Sequence, residues 1–165
     1  MMRNLLALNF PIIRMVQVRS PLIERKVYDH PIFVVHNIEH ALCVAEASER
    51  TETFVILASA RDGACSLGPD VFMSIINKAA AQHPDARIEG LLDCAEDAGV
   101  ALNAIRRGVP HISVDLQELT YKKIIDIANQ SNTRVRKYPN SVIDLINDKN
   151  PTETISAHIM EYTQK

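Results

Sequence analysis

Four short apolar runs and a fifth with a polar alternate face, each followed by a stretch of helical periodicity, constrain this chain more than any other feature. IFVVH (Ile32 to His36), TFVILAS (Thr53 to Ser59), ARIEGLLD (Ala86 to Asp93), HISVDL (His111 to Leu116) and TRVRKY (Thr133 to Tyr138) read as strands. Their starts, near residues 32, 53, 87, 111 and 133, lie 21 to 34 residues apart, and each gap holds one helical pattern. A parallel strand-helix-strand crossover requires that spacing. Continuous apolar strands also suit a sheet covered on both faces. The expectation is an α/β fold on a parallel sheet of about five strands. An open doubly wound sheet and part of a barrel satisfy the pattern equally well.

The helical stretches carry their own signals. Ile38, Leu42 and Ala45 share one face, and Pro69 suits the first turn of a helix whose apolar face is Val71, Phe72, Ile75, Ile76 and Ala79. A helix is expected over about 97–107, with Gly108 past its end, and another over ELTYKKIIDIANQ. NSVIDLIND and PTETISAHIMEY read as two closing helices, with Asn150-Pro151 as cap and first turn of the second. Residues 1–30 do not join the repeat. They are read as an N-terminal arm that packs on a partner subunit, giving a homo-oligomer, with 31–165 as the α/β domain.

Composition narrows the function classes. A chain of 165 residues is long enough for one domain with a real core. A net charge of −2 gives no electrostatic reason to expect nucleic acid. No apolar run reaches the roughly 18 residues of a membrane span. Cys43, Cys65 and Cys94 form an odd set without C-x-x-C spacing, which points to a reducing compartment. The apolar stretch Leu5 to Leu8 is short, Pro11 follows it, and Arg14 and Arg19 come after with no small-residue cleavage site. A cytoplasmic protein is expected.

In parallel α/β folds, ligands gather at the carboxyl ends of the strands. Those ends carry His36-Asn37, Ser59 with Arg61-Asp62, Asp93-Cys94, and Asp115 with Gln117. Polar residues there also cap helices and solvate loops. Asp93-Cys94 is the pair least explained that way, since a thiol has no capping task. Asp93, Glu96 and Asp97 surround Cys94 with acids, which raises the thiol pKa and opposes thiolate formation. The loop GACSLGPD could meet a phosphate at the start of the Pro69 helix. Phosphate-loop, dinucleotide, nucleophile-elbow and zincin motifs are absent.

In order, these residues resemble the first half of a class II, zinc-dependent fructose-bisphosphate aldolase. IFVVHNIEHALCVAEASERTETFVILAS is similar to that family's opening, with its N-x-E segment, Ala- and Glu-rich helix and P-V-I-L-x-x-S strand. LLDCAEDAGVALNAIRRGVPHISVDL resembles its H-L-D-H-G segment, A-I-x-x-G-F helix end and S-V-M-x-D-G strand. The likeness runs from Ile32 to Asp115 and weakens towards Tyr138. It implies a (β/α)8-type, or half-TIM-barrel, framework and aldehyde-lyase chemistry, with zinc polarising a carbonyl and an Asp as acid/base group. It places Asp93 on the catalytic Asp, Cys94 on a zinc-binding His, Ser59 on a Ser near the substrate and Asp115 on the fourth-strand Asp. His36, at a strand end, is a second metal candidate.

The departures are substantial. Ala95 stands where the family has Gly, RVRKYPN replaces the Glu-containing fifth strand, and the later strands with further zinc ligands have no counterpart in these residues. A catalytic zinc takes three protein ligands and water. The expectation is therefore an aldolase-like protein without the zinc set or the second half-barrel, serving as a non-catalytic oligomer or ligand-binding protein. The alternative is a metal-dependent or acid/base lyase acting on a small phosphorylated sugar, with its site completed by a partner subunit.

Overall fold

The computed structural model describes residues 30–164. All of the N-terminal arm except His30 therefore lies outside the described residues. The elements are β1 (Ile32–Val34), α1 (Ile38–Thr51), β2 (Val55–Ala58), α2 (Gly63–Ser66), α3 (Pro69–Gln82) and β3 (Ile88–Asp93). They continue with α4 (Ala98–Arg106), β4 (His111–Ser113), α5 (Glu118–Asn129), β5 (Arg134–Arg136), β6 (Ile143–Asp144) and α6 (Pro151–Thr163).

Local chemistry sets several boundaries. The Asn37 side chain accepts from the His40 amide at 2.8 Å and starts α1. Asp97 does the same for α4, accepting from Gly99 and Val100 at 2.7 and 3.0 Å. Pro69 and Pro151 open α3 and α6, where a missing amide costs no helical hydrogen bond.

The six strands form one open parallel sheet in the order β5-β4-β3-β2-β1-β6. Strands 1 to 5 lie side by side in chain order. With right-handed crossovers throughout, that order puts every crossover helix on one face. The core agrees: Phe33, Leu57, Leu92, Ile112 and Leu145 from the strands pack with Val44, Phe72, Ile105, Ile124 and Ile155 from the helices. The opposite, inner face holds a smaller cluster of Ile32, Val34, Ile56, Ala58 and Leu91. The doubly wound alternative, with helices on both faces, does not describe this chain. Its sheet is open but wound as a barrel is.

The sequence reading of NSVIDLIND as a helix is corrected by the structure. Its centre is strand β6, which pairs with β1 (Phe33 opposite Ile143, Val34 opposite Asp144) at the far edge from β5. Residues 137–142 must therefore cross the whole sheet. Five inter-strand steps of about 4.8 Å make roughly 24 Å, and the seven steps from Arg136 to Ile143 reach at most about 25 Å when extended. A helix, rising about 1.5 Å per residue, could not cover the distance. The segment instead runs as a strap over the inner face, where Val142 packs on the small apolar cluster. Pro139 and Lys137 close a small cavity there with Ile32, Ile56, Leu91 and His111. The alternation Ile143–Asp144–Leu145 is a strand signal: Leu145 is fully buried while Asp144 turns to the other face. Among the described residues, no helix is long and apolar enough to cross a membrane.

Candidate functional site at the strand ends

Register decides which side chains meet. Asp93 pairs with Ser113 across β3 and β4, and Ser113 with Arg136 across β4 and β5. All three belong to one row of the inner face. Ser113 donates its hydroxyl proton to Asp93 Oδ1 at 2.5 Å. The other carboxylate oxygen, Oδ2, accepts the backbone N–H of Asp62 at 2.8 Å. Asp62 has the left-handed φ of 56°, a conformation that Asp tolerates better than most residues, and this turns its amide towards β3. The Asp93 amide in turn donates to Ser59 Oγ at 2.9 Å. Asp93 is only 3% exposed. Two sequence candidates, Asp93 and Ser59, are thus brought together, and both are held by bonds within the chain.

Ser59 Oγ also donates to the Ala60 carbonyl at 2.9 Å. Its position is tight: a Cβ on Gly63 would stand 2.5 Å from both Ser59 Cβ and Oγ, so α2 can lie here only with glycine at its start. Over this cluster sits Tyr138 of the strap. Its hydroxyl donates to the Ser59 carbonyl at 2.9 Å, and the Arg61 guanidinium lies 4.0 Å above its ring centre. Burial, and then the nearby Asp93 charge, push the Tyr138 pKa up to about 12, so the phenol keeps its proton.

Cys94 goes elsewhere. Consecutive strand residues point to opposite faces, and Cys94 is fully buried in the helix-side core, its thiol 3.8 Å from the Leu92 carbonyl. Burial is the main cause, with Asp93 second, of a thiol pKa pushed up to about 12. The acidic neighbours act in the expected direction, but desolvation outweighs them.

His36 ends β1 on the inner side and pairs through Nε2 with Asp144 Oδ1 at 2.7 Å, tying edge strand β6 to β1. His40 stands beside it, its Nδ1 3.5 Å from the His36 amide nitrogen. Asp115 is exposed, and its amide donates to the Ala95 carbonyl at 2.8 Å. It lines a cleft of about 210 Å³ with Val114, Leu116, Glu118, Tyr121 and Lys137, at the ends of β4 and β5.

A zinc ion of the kind the resemblance implies does not fit these donors. Cys94 faces the apolar core, Asp93 is buried with one hydrogen bond on each oxygen, from Ser113 and Asp62, and His36 is engaged with Asp144. Among the described residues, no three His, Cys, Asp or Glu side chains converge as a metal would require.

Sequence reading missed a second inner-face cluster. His111 Nε2 makes a short hydrogen bond with the Glu89 carboxylate, and Arg134 approaches the same oxygen at 3.4 Å. His111 is 2% exposed. Burial is the largest cause of its lowered pKa; Glu89 opposes the shift, while Arg136 and Arg134 reinforce it. The signal was present in the sequence. Alternation along ARIEGLLD and HISVDL puts Glu89, Leu91 and Asp93 on the same face as His111 and Ser113 once the strands are parallel neighbours.

No family model and no curated protein sequence matches the chain. Among solved structures, it is similar to a Coccidioides immitis protein described as a candidate fructose-1,6-bisphosphate aldolase, with TM-score 0.54 and 13% sequence identity. The match covers 78% of this chain and 52% of that one. At that identity the likeness shows the fold alone: the chain has an aldolase-like α/β architecture and spans about half the length of the solved structure it matches.

Proposed function

We propose that this chain is an aldolase-like protein in which the family's acid/base position has become a structural tie, and that it works by binding rather than by carbon–carbon cleavage. The observation that carries the reading is the state of Asp93. A general acid or base must reach the proton it transfers, and this carboxylate is buried with both oxygens committed to Ser113 and Asp62. The strap residue Tyr138 adds a cover over the same cluster.

At the strand ends, a cleft beside Asp115 is open. Its apolar floor of Val114 and Leu116 and its polar rim suit a small ligand, and its volume lies below the roughly 300 Å³ at which drug-sized sites begin. Asp115 and Glu118 face that space with Lys137, so a phosphorylated ligand would meet two carboxylates there. A small ligand without phosphate fits the charge better. Assembly with further copies belongs to the same proposal. The edge strands β5 and β6 are short and carry Arg134, Arg136 and Asp144, features that discourage direct strand pairing. Contact between copies would then run through helix faces such as that of α5, where Leu119 is 77% exposed.

The test is aldol cleavage of fructose 1,6-bisphosphate by the purified full-length chain, with zinc supplied and the assembly mass measured on the same sample. The expected result is no turnover above the zinc-buffer control. Zinc-dependent cleavage that disappears in Asp93→Asn would overturn the proposal and establish the lyase reading, with a site completed by a partner subunit if only the assembled species is active.

A further inference from the structure

The inner face carries a buried imidazole that the strand-end cluster does not use. His111 is held through Nε2 by the Glu89 carboxylate, and among the described residues its buried Nδ1 has no hydrogen-bond partner. Its side chain lines the small cavity under the strap, whose other walls are Ile32, Ile56 and Leu91 from the sheet and Arg136, Lys137 and Pro139 from the strap and its root.

The two protonation states fare differently here. Neutral His111 donates Nε2–H to Glu89 and leaves a lone pair on Nδ1 against apolar walls. Protonated His111 must also bury an Nδ1–H without an acceptor. The charged groups facing it are Glu89 on β3, Arg134 and Arg136 on β5 and Lys137 at the strap's start. Only Glu89 among them is negative, and Arg134 already shares it. The cavity beside it has room for about one water molecule, and lifting the strap opens the new donor to bulk solvent.

We propose that His111 is a pH-sensitive latch for the strap, residues 137–142: neutral imidazole keeps it seated on the inner face, and protonation releases it. The direction follows from burial. The folded protein holds His111 below its ordinary value. Strap closure is therefore complete above about pH 6.5, the ordinary imidazole value, and is lost progressively as pH falls from there towards the lowered folded value. Release would uncover Tyr138, Ser59 and Asp93, giving the strand ends access that they lack at neutral pH. The proposal does not depend on whether those ends are catalytic.

Hydrogen exchange at the amides of Asp62 and Asp93, which donate to Asp93 Oδ2 and Ser59 Oγ beneath Tyr138, tests it in the full-length protein. Protection factors, corrected for intrinsic exchange, are expected to fall about tenfold between roughly pH 7.5 and pH 5, and to stay level in His111→Gln, whose amide can still donate to Glu89. Unchanged protection in the wild-type chain, or an equal fall in His111→Gln, would overturn the latch. Should the variant fail to fold, the NMR titration of wild-type His111 decides. Strap amides that shift with the imidazole's own midpoint support the latch, and amides that shift with a different midpoint refute it.

Discussion

Ala95 has a φ of 50°, in the left-handed region that glycine enters freely and alanine only at a cost. It follows Asp93-Cys94, where the resemblance to class II aldolases places a glycine. The backbone at Ala95 thus has a conformation that glycine adopts without a side-chain penalty. Ala95→Gly is therefore expected to stabilise the fold by about 0.5–1 kcal/mol in urea unfolding, since relief of strain exceeds the added chain entropy. An unchanged or lower stability would mean that the Ala95 methyl makes compensating contacts. The residue scale is also where sequence reading was weakest. Treating Asp93-Cys94 as one site overlooked that neighbours on a strand face opposite ways, and the structure places one on the inner face and the other in the helix-side core. Ser113 went unremarked because a serine inside an apolar strand has no meaning until its register partner is known.

Among the elements, the contact of α3 with β3 depends on one absent side chain. A Cβ on Gly90 would lie 2.9 Å from Phe72 Cε1 and 3.3 Å from Ile76 Cγ1, both on α3. The glycine inside the third strand is thus what lets the helix sit against the sheet. Gly90→Ala is expected to destabilise the protein by about 1–3 kcal/mol through overpacking, measurable as a lower urea midpoint. A neutral result would show that Phe72 can swing aside. The strand and helix starts were legible because periodicity and caps are local. The strap and β6 were not, because the distance they span follows from strand order, which no local pattern encodes. Their one local sign, the alternation around Asp144, was outweighed by the apolar spacing of a short helix.

At the scale of the molecule, chain-order strands and one-sided helices give half of a barrel's winding, and β6 with α6 joins at β1, on the side where a closed barrel's last strand would pair. That architecture was readable from five strand-helix repeats. Whether the sheet would open flat with helices on both faces was not, because helix placement depends on crossover order. The strap then covers the inner face of the sheet, and Asp93 lies in the cluster beneath its Tyr138. On the proposed function, Asp93 holds the fold together rather than serving a reaction. Removing a working active-site carboxylate leaves stability unchanged or raises it, since such groups are held at a cost to the fold. Removing a carboxylate that satisfies a buried hydroxyl and a half-buried amide lowers it, by about 2–3 kcal/mol for hydrogen bonds to a charged group. Urea unfolding of Asp93→Asn against the wild-type chain at neutral pH is the direct measurement. A loss of about that size is predicted, and a variant as stable as the wild type, or more so, would contradict the account.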